Sequence, residues 1–129
     1  MPEIALDLSV LPGSYSVCRL DSGAGVPEWA MAGDFFSVTR TADELSVVCE
    51  QSAVPQGVPC ERDWRCLKVL GPLDFGLRGV LASLAGPLSG AKIGIFVIST
   101  YDTDYLMVKA ADLERTTAVL TEAGHTIAQ

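Results

Sequence analysis

A chain of 129 residues is long enough for one ordinary domain, or for two very small ones sharing a core. With 49% hydrophobic and 19% charged residues its composition is globular and excludes extended disorder. A net charge of -7 excludes the basic surface that nucleic acid requires.

The first residues, MPEIALDLSVL, lack a basic region and carry Glu3 and Asp7 within the apolar run, so no signal peptide is expected. No stretch approaches the roughly 18 apolar residues of a spanning helix, so no membrane partner is expected and the location is expected to be cytoplasmic. Four cysteines, Cys18, Cys49, Cys60 and Cys66, stand far apart in sequence with no C-x-x-C and a single histidine. They read as reduced thiols, with Cys18, Cys49 and Cys66 as small apolar strand residues, and neither a metal site nor a disulfide framework is expected.

Taken in chain order, residues 3–11 alternate as a half-buried strand, with Ile4, Leu6, Leu8 and Val10 on one side. Pro12-Gly13 is a turn, and residues 15–20 are read as a strand returning in a hairpin. A loop follows at 21–27, with one helical turn at 28–31. Strands are expected at 35–40 and 45–50, so the first half is rich in strands. Residues 51–63, with two prolines and a glycine, read as a linker.

Alternation resumes from Trp64 to Leu70. Leu77, Val80, Leu81, Leu84 and Leu88 then fall at helical spacing, with Asp74 placed as an N-cap. Gly86-Pro87 is expected to kink or end that helix. Strands follow at 93–100 and 104–109, with a bend between them. A second helix spans 112–123, with Leu113, Thr117 and Leu120 inward and Gly124 as its stop, and His125 opens a last short strand. The order is βαββαβ, so the fold class is α+β and ferredoxin-like, with two helices on one face of an antiparallel sheet. Its strand at 93–99 is an edge, apolar on both faces through Ile93, Ile95 and Val97 and through Phe96 and Ile98, and must be covered by the first half or by a second chain.

That order, the glycine-containing first loop, and Ile98-Ser99-Thr100-Tyr101 followed by Asp104-Tyr105-Leu106-Met107-Val108 resemble an ACT domain. The resemblance is to small tandem ACT proteins related to the CASTOR-type cytosolic arginine sensors and, more distantly, to the regulatory domains of aspartate kinases. It implies two ACT-like repeats, a degenerate helix-poor one over residues 1–60 and an ACT domain over 61–129. It also implies a regulatory or sensor protein that binds a free amino acid between the first loop of one repeat and the edge strand of its neighbour. Carried over by position, the ligand-binding residues are Asp74, Phe75, Gly76 and Leu77, beside Leu73, in the loop, and Ser99, Thr100, Tyr101 and Asp104 in the elbow. Leu77 stands where the arginine sensors carry a glutamate, which points to a smaller or more apolar side chain than arginine. Homodimerisation or pairing of repeats through the 93–99 edge is implied as well.

The residue chemistry fits such a ligand. Backbone N–H groups at a helix start receive a carboxylate, an aspartate such as Asp104 or Asp74 receives an ammonium group, and Phe75 and Tyr101 offer a wall. Competing structural readings stay open: Asp74 as a helix cap, Asp102 and Asp104 as ordinary bend residues, and Tyr101 as an exposed aromatic. An assembly module without a ligand is the alternative function. No nucleophile, phosphate or dinucleotide motif is present, and His125 has no sequence-local partner, so neither catalysis nor a cofactor is expected.

Overall fold

The computed structural model describes residues 4–71, 73 and 79–128. Its strands are β1 (Asp7–Val10), β2 (Tyr15–Leu20), β3 (Ser37–Arg40), β4 (Leu45–Glu50), β5 (Cys60–Val69), β6 (Ile95–Ser99), β7 (Asp104–Lys109) and β8 (Thr126–Ala128), and its α-helices are α1 (Val80–Gly90) and α2 (Leu113–Glu122). The chain forms two compact units, one from residues up to Pro12 together with Arg65 onward, the other from Gly13–Trp64. Among the described residues no helix is long and apolar enough to cross a membrane.

The unit formed by Gly13–Trp64 holds β2, β3, β4 and the first half of β5 and, among the described residues, no α-helix. Strand β4 lies between β3 and β2, both antiparallel to it, and β2 pairs on its other side with β5. Cys18, Ala30, Val47 and Cys49 form a buried cluster in it, flanked by Trp29 and Cys60. The 51–63 segment, expected to be linker throughout, contributes Cys60–Asp63 to β5. Its polar run hides a strand because the register slips there: Asp63 has φ of 68° and the pairing with β2 shifts between Tyr15 and Val17. Gln51 fixes the bulge, accepting from the Asp63 backbone N–H at 2.6 Å while its amide donates to the Asp63 carboxylate at 3.0 Å.

The other unit contains the βαββαβ order that the periodicity predicts. Strand β7 lies between β5 and β6, and β6 pairs antiparallel with β7 from Ile95↔Val108 to Ser99↔Asp104. A fifth strand enters this sheet. β1 runs antiparallel to β5 (Leu8↔Val69) and parallel to β8 (Leu8↔Ile127), so the expected hairpin between β1 and β2 does not form. Sequence adjacency favours a hairpin, but the second half of β5 gives β1 a buried place: Leu8 is 1% exposed and joins Leu67, Val69, Leu84, Leu88 and Leu120 in one core.

Helix α1 buries Val80, Leu84 and Leu88, one stripe at i, i+4, i+8, whereas Leu81, expected inward, is exposed. Helix α1 begins at Val80, after Gly79 with φ of 81°, a left-handed conformation outside the helical region. The expected cap Asp74 and the expected core residue Leu77 lie outside the described residues. On α2, Thr116 takes the inward place expected of Thr117, its hydroxyl donating to the Asp112 carbonyl at 2.8 Å. Gly124, with φ of 104°, ends α2 as predicted.

Helix α1 neither breaks nor ends at Gly86-Pro87. A proline inside a helix removes one N–H, so the carbonyl four residues back, that of Ser83, loses its ordinary donor. His125 Nε2 lies 3.1 Å from that carbonyl oxygen and supplies the missing proton. Glycine at 86 also helps, since the residue before proline is pushed out of the helical region mainly through its Cβ and backbone N–H.

Candidate functional site

The β6–β7 elbow is a four-residue turn closed by Thr100 N–H donating to the Thr103 carbonyl at 2.8 Å. The Thr100 hydroxyl donates to that carbonyl at 3.1 Å and accepts from the Thr103 N–H at 3.3 Å. One step outward, Ser99 and Asp104 are directly opposite, and Ser99 Oγ donates to Asp104 Oδ1 at 2.6 Å. A carboxylate takes about four hydrogen bonds, so Asp104 keeps acceptor capacity beyond its serine. Tyr101, at the tip, is 81% exposed.

This elbow is fastened to the end of β5 and to the loop that follows it. The buried Thr103 donates through its hydroxyl to the Val69 carbonyl at 2.6 Å, and Leu73 N–H donates to the Asp102 carbonyl at 2.7 Å. Gly71 makes the approach possible, because a Cβ there would stand 2.9 Å from Leu73 N and 3.2 Å from Asp102 O, the two atoms of that hydrogen bond. Of the eight candidate residues, Ser99, Thr100, Tyr101 and Asp104 share the elbow, while Asp74, Phe75, Gly76 and Leu77 lie outside the described residues. Leu73, the residue before those four, is held against the elbow. Sequence reasoning missed Gly71 and Thr103 as the residues that join loop to turn. A glycine directly after a strand, and a threonine in an Asp-x-Asp bend, were the available signals.

A cleft of about 430 Å³ opens beside the start of α1, lined by Ile4, Gly79, Ala82, Ser83, Pro87, Ala123 and His125. Its walls are mostly small and apolar. His125, expected to open the last strand, is 3% exposed, and both ring nitrogens are engaged: Nδ1 accepts from Leu6 N–H at 3.1 Å and Nε2 faces the Ser83 carbonyl. The two partners fix the tautomer, with the proton on Nε2. The imidazole is a structural bridge with no free nitrogen for acid–base work. Among the described residues no group of three or more histidines, cysteines or acids is arranged to hold a metal ion.

The sheet order, the paired helices and the loop fastened to the elbow define an ACT-type fold, and the comparisons with known proteins agree. The chain carries an ACT domain: the family model for the ACT domain matches residues 60–122, and a second model, for an N-terminal domain, matches residues 13–57. A crystal structure of an Agobacterium tumefaciens protein is 44% identical, superposes with a TM-score of 0.92, and is matched over 97% of this chain and 93% of that one. The Bos taurus protein named cytosolic arginine sensor for mTORC1 subunit 1 is 31% identical over 117 residues, which is 84% of this chain and 35% of that protein. The chain thus spans about a third of the length of that relative. The aspartate kinase of Clostridium acetobutylicum, an allosteric enzyme, shares the fold at 13% identity with a TM-score of 0.64, over 87% of this chain and 33% of that one.

Proposed function

We propose that this protein is a non-catalytic, cytoplasmic amino-acid-binding regulator whose ligand lies between the loop after β5 and the β6–β7 elbow. The observation that carries the reading is the pair of bonds from Leu73 to Asp102 and from Thr103 to Val69, which hold the end of β5 and the loop after it beside the elbow. In this proposal Asp104 accepts the ligand's ammonium group, Tyr101 and Phe75 flank its side chain, and backbone N–H groups around Asp74, Gly76 and Leu77 take its carboxylate. Ser99 and Thr100 shape the turn. Leu77 favours a side chain without a guanidinium. The similarity to a protein named as an arginine sensor supports the ligand class. The division into an N-terminal repeat, residues 1–60, and an ACT domain, residues 61–129, belongs to the same proposal, although β1 of the first stretch pairs with β5 and β8 in the unit that holds the second. It is supported by one family model ending at 57 and the next beginning at 60.

Thermal shift against the twenty amino acids tests the reading. A ligand at 100 times its dissociation constant adds about 2.7 kcal/mol to stability. Asp104→Asn removes the charge and keeps the Ser99 partner, so affinity for the responding amino acid falls at least about tenfold, as expected for a charge-assisted bond worth roughly 1.5–3 kcal/mol. Unchanged affinity in calorimetry removes Asp104 from the site. No shift with any amino acid removes the ligand.

A second reading, a module for assembly, is favoured by β6. Ile95, Phe96, Val97 and Ile98 are half-buried, and the strand has β7 on one side and no described strand on the other. In this reading the bare edge pairs with a second copy of the chain. Ile95 and Val97 pack on the core, so the informative change is Ile98→Lys, on the opposite face. It lowers the mass seen by light scattering to that of a monomer and leaves the melting temperature of the monomer within a few degrees. An unchanged assembly means that the edge is not the interface.

A further inference from the structure

Three of the four cysteines, distant in sequence, meet on one face of the Gly13–Trp64 unit. Cys18 on β2 and Cys60 on β5 are direct partners in an antiparallel pair. The next pair along, Arg19 with Pro59, carries the ladder bond, Arg19 N–H to the Pro59 carbonyl at 3.0 Å. Antiparallel pairs alternate, so Cys18 and Cys60 occupy a non-hydrogen-bonded position, where opposing Cα atoms stand about 4.5 Å apart. A disulfide spans Cα separations of about 4.4–6.8 Å, so this register accepts one with little backbone movement. The Cys18 thiol is within hydrogen-bonding reach of Cys60 on one side and Cys49 on the other.

The two neighbours of Cys18 are not equivalent. Cys49 lies opposite Ser16, so it is a diagonal neighbour of Cys18, and diagonal Cα pairs sit about 7–8 Å apart, too far for an unstrained bridge. Cys49 is also 0% exposed, whereas Cys60 is partly exposed and open to a small oxidant.

We propose that Cys18 and Cys60 form a reversible oxidative modification site, closing to a cross-strand disulfide when a hydroperoxide reacts first at Cys60. In the first step the Cys60 sulfur attacks the peroxide: an S–O bond forms, the O–O bond breaks, and Cys60 becomes a sulfenic acid as water or an alcohol leaves. In the second step the Cys18 sulfur attacks Cys60: the S–S bond forms, the S–O bond breaks, and the Cys18 proton leaves with the hydroxyl as water. Two thiols lose two electrons to one peroxide. Burial, with the neighbouring Cys49 and Cys60 thiols, pushes Cys18 up to about 12, so it waits as a protonated thiol and the closing step speeds up as pH rises. Arg62, two residues beyond Cys60, acts on Cys18 in the opposite sense.

The test exposes the full-length chain to hydrogen peroxide, then denatures and alkylates it for intact-mass and peptide analysis. The expected product has lost the mass of two hydrogens, alkylates at Cys49 and Cys66 only, yields a linked peptide containing residues 18 and 60, and reverts with dithiothreitol. Cys60→Ser, at a partly exposed position, abolishes the mass loss, and Cys49→Ala retains it. Alkylation of all four cysteines, a bridge between Cys18 and Cys49, a bridge between chains, or the same mass loss in Cys60→Ser each overturns the proposal.

Discussion

His125→Ala lowers the unfolding free energy by about 3 kcal/mol, an effect out of proportion to a lone histidine beside a short strand. The substitution leaves Leu6 N–H and the Ser83 carbonyl without their partners, and each buried unpaired group costs roughly 1–3 kcal/mol. The Ser83 half of that loss arises from Pro87, which cannot donate to it. Pro87→Ala therefore supplies a new N–H to the same carbonyl, and the double variant is expected to recover about 1 kcal/mol relative to His125→Ala alone. Denaturant titration of the four members of this cycle measures the coupling. Strict additivity means that the imidazole is not standing in for the missing helical donor.

The same pair of residues shows where sequence reading reached its limit. A proline at helical spacing is a local signal, and locally it predicts a kink or a stop. What keeps α1 continuous is a histidine 38 positions later in the numbering, brought beside it by the sheet. Periodicity located both helices and the strands at β6, β7 and β8 because each buries one regular stripe in a single core. It misassigned β1, whose alternation is satisfied equally by a hairpin partner or by the slot between β5 and β8. It also passed over the start of β5, where a left-handed Asp63 and a bulge disturb the alternation. The elbow was legible as Asp-rich bend residues between two apolar runs. Its fastening to the loop was not, since Gly71 and Thr103 act through backbone partners that no spacing rule names.

Gly71→Ala is expected to cost about 3 kcal/mol and to weaken amino-acid binding at least tenfold, although it adds only one methyl group. That methyl would press on both ends of the Leu73–Asp102 hydrogen bond, and both atoms belong to the backbone, so neither can swing aside as a side-chain tip would. Overfilling a packed position costs roughly 1–3 kcal/mol, and the opened bond adds about 1 kcal/mol more. Thr103 still holds the elbow to Val69, so the sheet survives while the loop loses its register against the turn. Gly94→Ala is the matched control: no atom lies within 4 Å of a Cβ there, and the change is neutral or stabilising by up to about 1 kcal/mol through the unfolded chain. Denaturation midpoints and calorimetry on both variants separate the outcomes. If Gly71→Ala matches Gly94→Ala in stability, the loop is not pinned to the elbow. If stability falls while affinity stays intact, the ligand lies elsewhere, because a site built from loop and elbow cannot keep its grip after the bond between them has opened.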